Sequence, residues 1–307
     1  MRIRATVAAV SGALALSALA VPAAQADTSR TSDASDVHAV AQAASGRSTF
    51  AAAVDGTPYA LDASFSNVKV NKGKNIVVGT TSVVKVPVSF TLTHGADVDI
   101  HAPDFFAGVE IYKGEDFYTS EFWYDSANAT CTDSSATVAA CTATLAVDPA
   151  PGDPEWTLLN SDAGTWKAAA FAVAFNGEDP ENPNLDNVGV AVADKAAAPK
   201  VQRLSKLTVN ASPEPVKKGK TITVTGKLSR ANWDTDKYAG YSGQSVKLQF
   251  RKKSSSTYTT VKTIKTNSTG NLSTTVKASA DGYFRYSFAG TTTTPAVSAT
   301  GDFVDVK

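Results

Sequence analysis

Apolar residues in this chain alternate with polar ones, and after residue 26 no segment carries a helical stripe of three or four turns. In Val84-Lys85-Val86-Pro87-Val88-Ser89-Phe90-Thr91-Leu92 the apolar side chains fall on one face, which is the signature of a half-buried strand. Pro87 has no N–H to donate, so this strand is expected at a sheet edge. The same alternation recurs at Ile222/Val224/Gly226/Leu228, Val246/Leu248/Phe250, Leu272/Thr274/Val276 and Val304/Val306, each run bounded by turn residues. Short strands separated by turns predict an all-β chain of β-sandwiches.

Charge divides the chain in two. Val201 to Lys307 carries 17 Lys/Arg against 6 Asp/Glu, whereas Asp27 to Lys200 carries 10 against 23. The overall balance of zero thus hides a basic unit and an acidic one, and opposed surfaces imply different partners. The sign changes at Asp194-Lys195-Ala196-Ala197-Ala198-Pro199-Lys200, so 194–203 reads as a linker between an acidic sandwich (49–193) and a basic one (204–307). A local repeat supports related modules: Val70-Asn71-Lys72-Gly73-Lys74-Asn75-Ile76-Val77-Val78 matches Val216-Lys217-Lys218-Gly219-Lys220-Thr221-Ile222-Thr223-Val224.

Residues 1–26 have the form of a secretory signal peptide. Arg2 and Arg4 precede an apolar, small-residue run from Ala5 to Val21, and Ala24-Gln25-Ala26 offers a cleavage site. Processing there leaves no apolar segment long enough to anchor the product in a membrane. Residues 27–48, rich in Ala, Ser, Thr and Asp without a period, read as a flexible leader. Cys131 and Cys141 flank Asp133-Ser134-Ser135 and are expected to face each other across a hairpin, bridged in an oxidising compartment. On the chain-entropy model so short a loop contributes about 2 to 3 kcal/mol.

The basic unit resembles immunoglobulin-like modules of exported actinomycete proteins. The likeness rests on Val216–Leu228, Trp233, Tyr238-Ala239-Gly240-Tyr241, Val246–Phe250, Gly270-Asn271-Leu272-Ser273 and Gly282-Tyr283-Phe284-Arg285. The likeness covers about a third of the chain, implies an immunoglobulin-like sandwich there and carries over no catalytic residues. With the strand pattern and the repeat, the expected fold is two tandem immunoglobulin-like β-sandwiches. The acidic unit, with Asp104-Phe105-Phe106-Ala107-Gly108 and Asp162-Ala163-Gly164-Thr165-Trp166, looks like a companion domain of the same proteins, which implies secretion and a β fold.

Motifs for nucleophile elbows, zinc proteases, phosphate loops and dinucleotide sites are missing from the sequence, so the expectation is a noncatalytic protein. A hydrolase would have to use His94 or His101, since the third histidine, His38, lies in the leader. On a strand, Asp97, Asp99 and His101 would share a face and could hold a divalent cation, though a solvated face has the same pattern. The polar run Asn176–Asn187 offers oxygen ligands suited to calcium, without the fixed spacing of a calcium loop. Phe122, Trp123 and Tyr124 close an aromatic stretch interleaved with carboxylates and are candidate contacts for sugar rings or a protein partner. Lys252, Lys253, Lys262 and Lys265 are candidates for docking on a polyanion, which outside the cell means an anionic wall polymer or polysaccharide instead of nucleic acid. The expected function is envelope or matrix binding, with a calcium-binding structural protein as the alternative. The opposed charges also suggest salt-sensitive self-association.

Overall fold

The computed structural model describes residues 38–41, 56–120 and 122–307; the proposed signal peptide and most of the proposed leader lie outside these. Strands of the first unit are β1 (Tyr59–Ala60), β2 (Ala63–Val70), β3 (Ile76–Val78), β4 (Val84–His94), β5 (Phe105–Lys113), β6 (Phe122–Asp125), β7 (Thr130–Ser135), β8 (Val138–Val147), β9 (Gly164–Thr165), β10 (Lys167–Ala174), β11 (Gly189–Ala197) and β12 (Lys200–Arg203). Those of the second are β13 (Ser205–Leu207), β14 (Asn210–Ser212), β15 (Thr221–Asn232), β16 (Lys237–Gly240), β17 (Ser245–Lys252), β18 (Thr259–Lys265), β19 (Asn271–Lys277), β20 (Gly282–Phe288), β21 (Val297–Ser298) and β22 (Asp302–Val304). The chain is an all-β protein whose sheets pack into two sandwiches. Among the described residues no helix is long and apolar enough to cross a membrane.

The first sandwich packs the sheet β2-β4-β8-β7 on the sheet β1-β11-β10-β5-β6. Val86, Val88, Phe90 and Leu92 of β4 meet Phe105, Ala107, Val109 and Ile111 of β5 and the even-numbered alanines of β10. The β4 alternation is therefore a core face, but the strand is not an edge: β2 and β8 flank it. Pro87 is accommodated because pairing with β2 stops at Val70↔Val88, one residue before it. Cys131 and Cys141 are register partners on β7 and β8 and form the disulfide. The hairpin turns at Ala136-Thr137, since the strand runs on through Asp133-Ser134-Ser135. Replacing both cysteines by serine is expected to lower stability by about 3 kcal/mol, measured by urea unfolding against the oxidised chain.

The five-stranded sheet is buried on its other face too. Tyr112, Phe171, Val173 and Val190 lie there beneath residues 38–41 and the turns that carry Phe117 and Leu185. Coverage of both faces explains why β10 reads as an almost unbroken apolar run instead of alternating. Tyr112 donates from its hydroxyl to Asp194 of β11. His38 and Val40 are buried, so residues 38–41, expected to be flexible, form a packed helical turn on the sheet.

In the second sandwich β15 organises one sheet, pairing along one edge with β13 and β14 and along the other with β16 and β19. The opposing sheet runs β18-β17-β20, and β20 continues to β21 and β22. Where β16 crosses the start of β19, a side chain on Gly240 would strike the Thr269 backbone, and Gly270 sits at φ +82°, so both positions require glycine. Tyr286 is wholly buried and donates to the Val224 carbonyl of the other sheet at 2.8 Å.

Burial pushes the Tyr286 phenol up to about 12, and burial together with Asp194 pushes Tyr112 upward as well. Unfolded tyrosines titrate near pH 10, at about that value. The neutral phenols therefore stabilise the fold fully below that pH, and the contribution declines as pH rises toward about 12. Urea unfolding between pH 9 and 11.5, on the order of the window that the shift defines, is expected to show this decline. It should be shallower in Tyr286→Phe, which also costs about 1 kcal/mol at neutral pH through the lost hydrogen bond. Equal slopes in the two proteins would contradict the assignment.

The stretch expected to be a linker is strand. Asp194 to Ala197 complete β11, and β12 pairs in parallel with β3 and antiparallel with β9. Val201, Gln202 and Arg203 are buried. Gln202 accepts from Asn75 at 3.0 Å and donates to the Thr291 carbonyl at 2.9 Å, so one side chain bonds both units. Trp233, in the turn after β15, is 1% exposed and belongs with Ala231 to the core of the first unit. The physical reason is polar satisfaction: its indole N–H donates to the Gly79 carbonyl at 2.7 Å, and its backbone N–H to Asn160 at 3.0 Å.

Candidate functional site

The outward face of β17, β20 and β22 collects cations and rings. Inward residues Val246, Leu248, Phe284, Tyr286 and Phe288 fill the core, so the pleat turns Gln249, Arg251, Tyr283 and Arg285 outward. Register sets Gln249 opposite Arg285, Arg251 opposite Tyr283, and Tyr283 opposite Phe303. The result is an alternating stack. Arg285 lies 3.8 Å over the Tyr258 ring, Arg251 lies 3.8 Å over Tyr283, and Tyr283 packs 5.2 Å from Phe303, over which Lys253 sits at 5.4 Å. Each such contact contributes about 0.5 to 1 kcal/mol at an accessible site.

Hydrogen bonds hold the guanidinium groups in place. Arg285 Nε donates to Gln249 Oε1 at 2.8 Å, and Arg251 donates to the Ser255 carbonyl at 2.8 Å. A guanidinium has five N–H donors in a planar fork, so each still presents donors matched to phosphate, sulfate or carboxylate. Tyr258 can lie this close because residue 301 is glycine: a Cβ there would meet the Tyr258 hydroxyl. At one end of the sandwich Lys218, Lys252, Lys253 and Lys307 line a shallow groove together with Asp281.

Of the four lysines expected to dock a polyanion, Lys253 joins this face and Lys252 lies beside it. Lys262 does not. Between Leu248 and Gln249 the pairing with β18 shifts by one residue, which leaves Val261 bulged and puts Lys262 opposite inward-facing Leu248. There it reaches across the sandwich and donates to Thr274 at 2.8 Å. Lys265 pairs with Ser245 at the far end of β17 from Lys252, so the four form no single patch. Arg251 and Arg285 were not among those lysines; the signal available for them was Tyr283 and Arg285 at successive outward positions of β20, opposite the outward Arg251 and Gln249 of β17.

The aromatic candidates of the first unit are also redistributed. On β6, Phe122 and Tyr124 point inward and are buried against Trp166, so they are not contact residues. Strand alternation turns only Trp123 to the other face, where it stacks on His38 at 4.0 Å and meets Trp156 edge-on at 4.8 Å.

Asp97, Asp99 and His101 lie in the loop between β4 and β5, not on a strand, and do not converge. Asp99 accepts from the His101 backbone, while the His101 ring turns to Asp133 at 3.1 Å in an exposed pair. Asp97 and Asp99 instead line a small acidic cleft with Asp62 and Asp104. His94 Nδ1 is bonded to the Gly95 carbonyl, so neither ring is set against a nucleophile. In the loop 176–187, the Glu178 carboxylate accepts from the Asn184 backbone and the Asn187 side chain, which holds its pKa below the usual range. Asp104 accepts from Gly177 and Asp186 from Thr57. These oxygens fasten the loop and its neighbours.

No protein-family model matches the chain. No curated protein is similar to it. Among solved structures it is similar to the adhesin InvE of Yersinia pseudotuberculosis, with 12% identity, 79% of this chain and 58% of that chain covered, and a TM-score of 0.24. It is also similar to the D00-D0 domain of intimin, with 14% identity, 78% and 99% coverage and a TM-score of 0.24. The tandem Ig repeats of Dlar overlap at 10% identity, 81% and 99% coverage and a TM-score of 0.19. The chain spans little more than half of InvE. Overlaps of this extent carry nothing about what this chain binds.

Proposed function

We propose that this protein is a noncatalytic extracellular binding protein that docks on an anionic polymer through the outward face of β17, β20 and β22. The observation that carries this reading is the stack of Arg285, Tyr258, Arg251 and Tyr283, a row of pre-oriented guanidinium forks on a strongly basic unit. Solubility alone needs no such order, because scattered lysines supply charge without stacking. The acidic unit, with 23 Asp/Glu against 10 Lys/Arg, is repelled by the same polymer and faces outward from it. Wall-bound phosphate polymers and acidic polysaccharides share the chemistry that this face would recognise.

The test uses the whole mature chain, because Trp233 of the second unit is buried in the core of the first. Cosedimentation with purified cell walls and with an acidic polysaccharide, across a salt series, is expected to show retention that weakens as salt rises. Absence of retention at low salt on either polymer would overturn the reading. Sedimentation of the chain alone at the same salts separates polymer docking from self-association.

A further inference from the structure

We propose that His38, Glu110 and Asp125 form a site for a divalent transition metal, zinc being the best fit, that fastens residues 38–41 to the outer face of the first unit's five-stranded sheet. Among the described residues these three side chains form the one group of His, Cys, Asp or Glu whose ligand atoms all lie within 4.8 Å of one another. Two of them are supplied by the sheet. Glu110 and Asp125 are register partners on β5 and β6, so their carboxylates stand side by side on the same face. The third comes from outside, where the helical turn sets His38 Nδ1 directly against Glu110 Oε2.

The surroundings are those of a built site. Glu110 is 0% exposed and His38 2%. A divalent cation can be held by two carboxylates and a neutral imidazole together at any pH where these ligands are deprotonated. Trp123 stacks on the His38 ring at 4.0 Å and donates its indole N–H to Asp125 at 3.0 Å, so one residue orients two of the three ligands. Phe117 closes the other side of the imidazole edge-on, and Ser120 lies at 3.5 Å from the second Glu110 oxygen.

One imidazole and two carboxylates form a mixed nitrogen and oxygen set. That set suits zinc and its neighbours better than calcium or magnesium, which take oxygen ligands in larger number. Three protein ligands leave a fourth position for water. An ion with bonds of about 2.1 Å needs ligand atoms about 3.4 Å apart, so the direct His38–Glu110 contact would open to that spacing on binding. The consequence is a clip: metal binding would hold a segment close to the N-terminal side of the sandwich in place without a covalent bond.

The probe is Zn²⁺ alone, titrated calorimetrically into the untagged mature chain after chelator treatment, with Mg²⁺ and Ca²⁺ as comparisons. One equivalent of Zn²⁺ is expected to bind and to raise the melting temperature, with much weaker response to the other two ions. His38→Ala and Glu110→Gln should each weaken binding by more than the roughly 10- to 100-fold that loss of an outer partner costs. Circular dichroism checks that each variant is folded, and Asp125→Asn replaces Glu110→Gln if the latter is not. Hydrogen exchange at residues 38–41 should slow on addition of Zn²⁺ to the parent chain and not to His38→Ala. Failure of the parent chain to bind Zn²⁺ would overturn the proposal and leave a buried His–Glu pair. Binding that survives His38→Ala, or that His101→Ala abolishes instead, would overturn it equally.

Discussion

Trp233→Ala is expected to destabilise the whole chain by about 3 to 5 kcal/mol, the cost of emptying a large aromatic site in a packed core. The side chain belongs to the second unit by sequence and to the first by packing, being 1% exposed within the cluster that includes Val201 and Trp166. Truncation also strands the Gly79 carbonyl that its indole N–H serves, adding about 1 to 3 kcal/mol if water does not reach it. Against a net stability of about 5 to 15 kcal/mol for an ordinary domain, this is a large share.

The more telling effect is on cooperativity. β12 pairs with strands of the first unit while Arg203 donates to the Ala231 carbonyl at 2.6 Å and its backbone N–H to Thr293 at 3.0 Å. Burial pulls the Arg203 guanidinium down to about 10, still well above neutrality, so at neutral pH it is a charged anchor in the junction. The two sandwiches should therefore unfold together in the parent chain, and Trp233→Ala should separate them into two calorimetric transitions. Trp233→Phe, which keeps most of the ring, should lose less and keep one transition. Two transitions already in the parent chain, or a loss below about 1 kcal/mol in Trp233→Ala, would show that the junction carries little energy.

Period-two alternation was enough to read the strands β4, β15, β17 and β19, because each has one face in a core and one toward solvent or a covering layer. The disulfide was legible for the same reason, since hairpin register follows from spacing about a turn. What escaped was long-range. Pro87 signals an edge by its own chemistry, but whether the neighbouring strand extends past it is decided by where β2 ends. Composition marked 194–203 as a linker, yet a small parallel pairing with β3, many residues earlier, recruits it as strand. Phe122, Trp123 and Tyr124 were all expected as contacts; alternation puts two of them on one face, but only the sheet pairing tells which parity faces the core. His38 is the clearest case: nothing local in a polar, small-residue leader shows that a carboxylate 72 positions later awaits it.

The candidate docking face teaches the same lesson in reverse, since counting lysines located the charge and not its geometry. If the face works by oriented guanidinium forks, the double variant Arg251→Ser, Arg285→Ser should lose about 10- to 100-fold in affinity for an anionic polymer at low salt, at roughly 1.5 kcal/mol or less per charge-assisted contact. About four phosphate contacts on a flexible polymer predict a fall of roughly fiftyfold between 50 and 200 mM salt, and removing two of them should about halve the slope. Lys262→Ser changes the formal charge by one unit but should barely alter binding, because that ammonium is turned toward Thr274. The decisive comparison is the conservative one. Arg251→Lys, Arg285→Lys keeps both charges while losing the fork and most of the stacking on Tyr258 and Tyr283. If stacking pre-orients the donors, the lysine pair should recover the salt slope but only part of the affinity. Full recovery of both would reduce the face to plain electrostatics, and the ordered row of rings would then need another purpose.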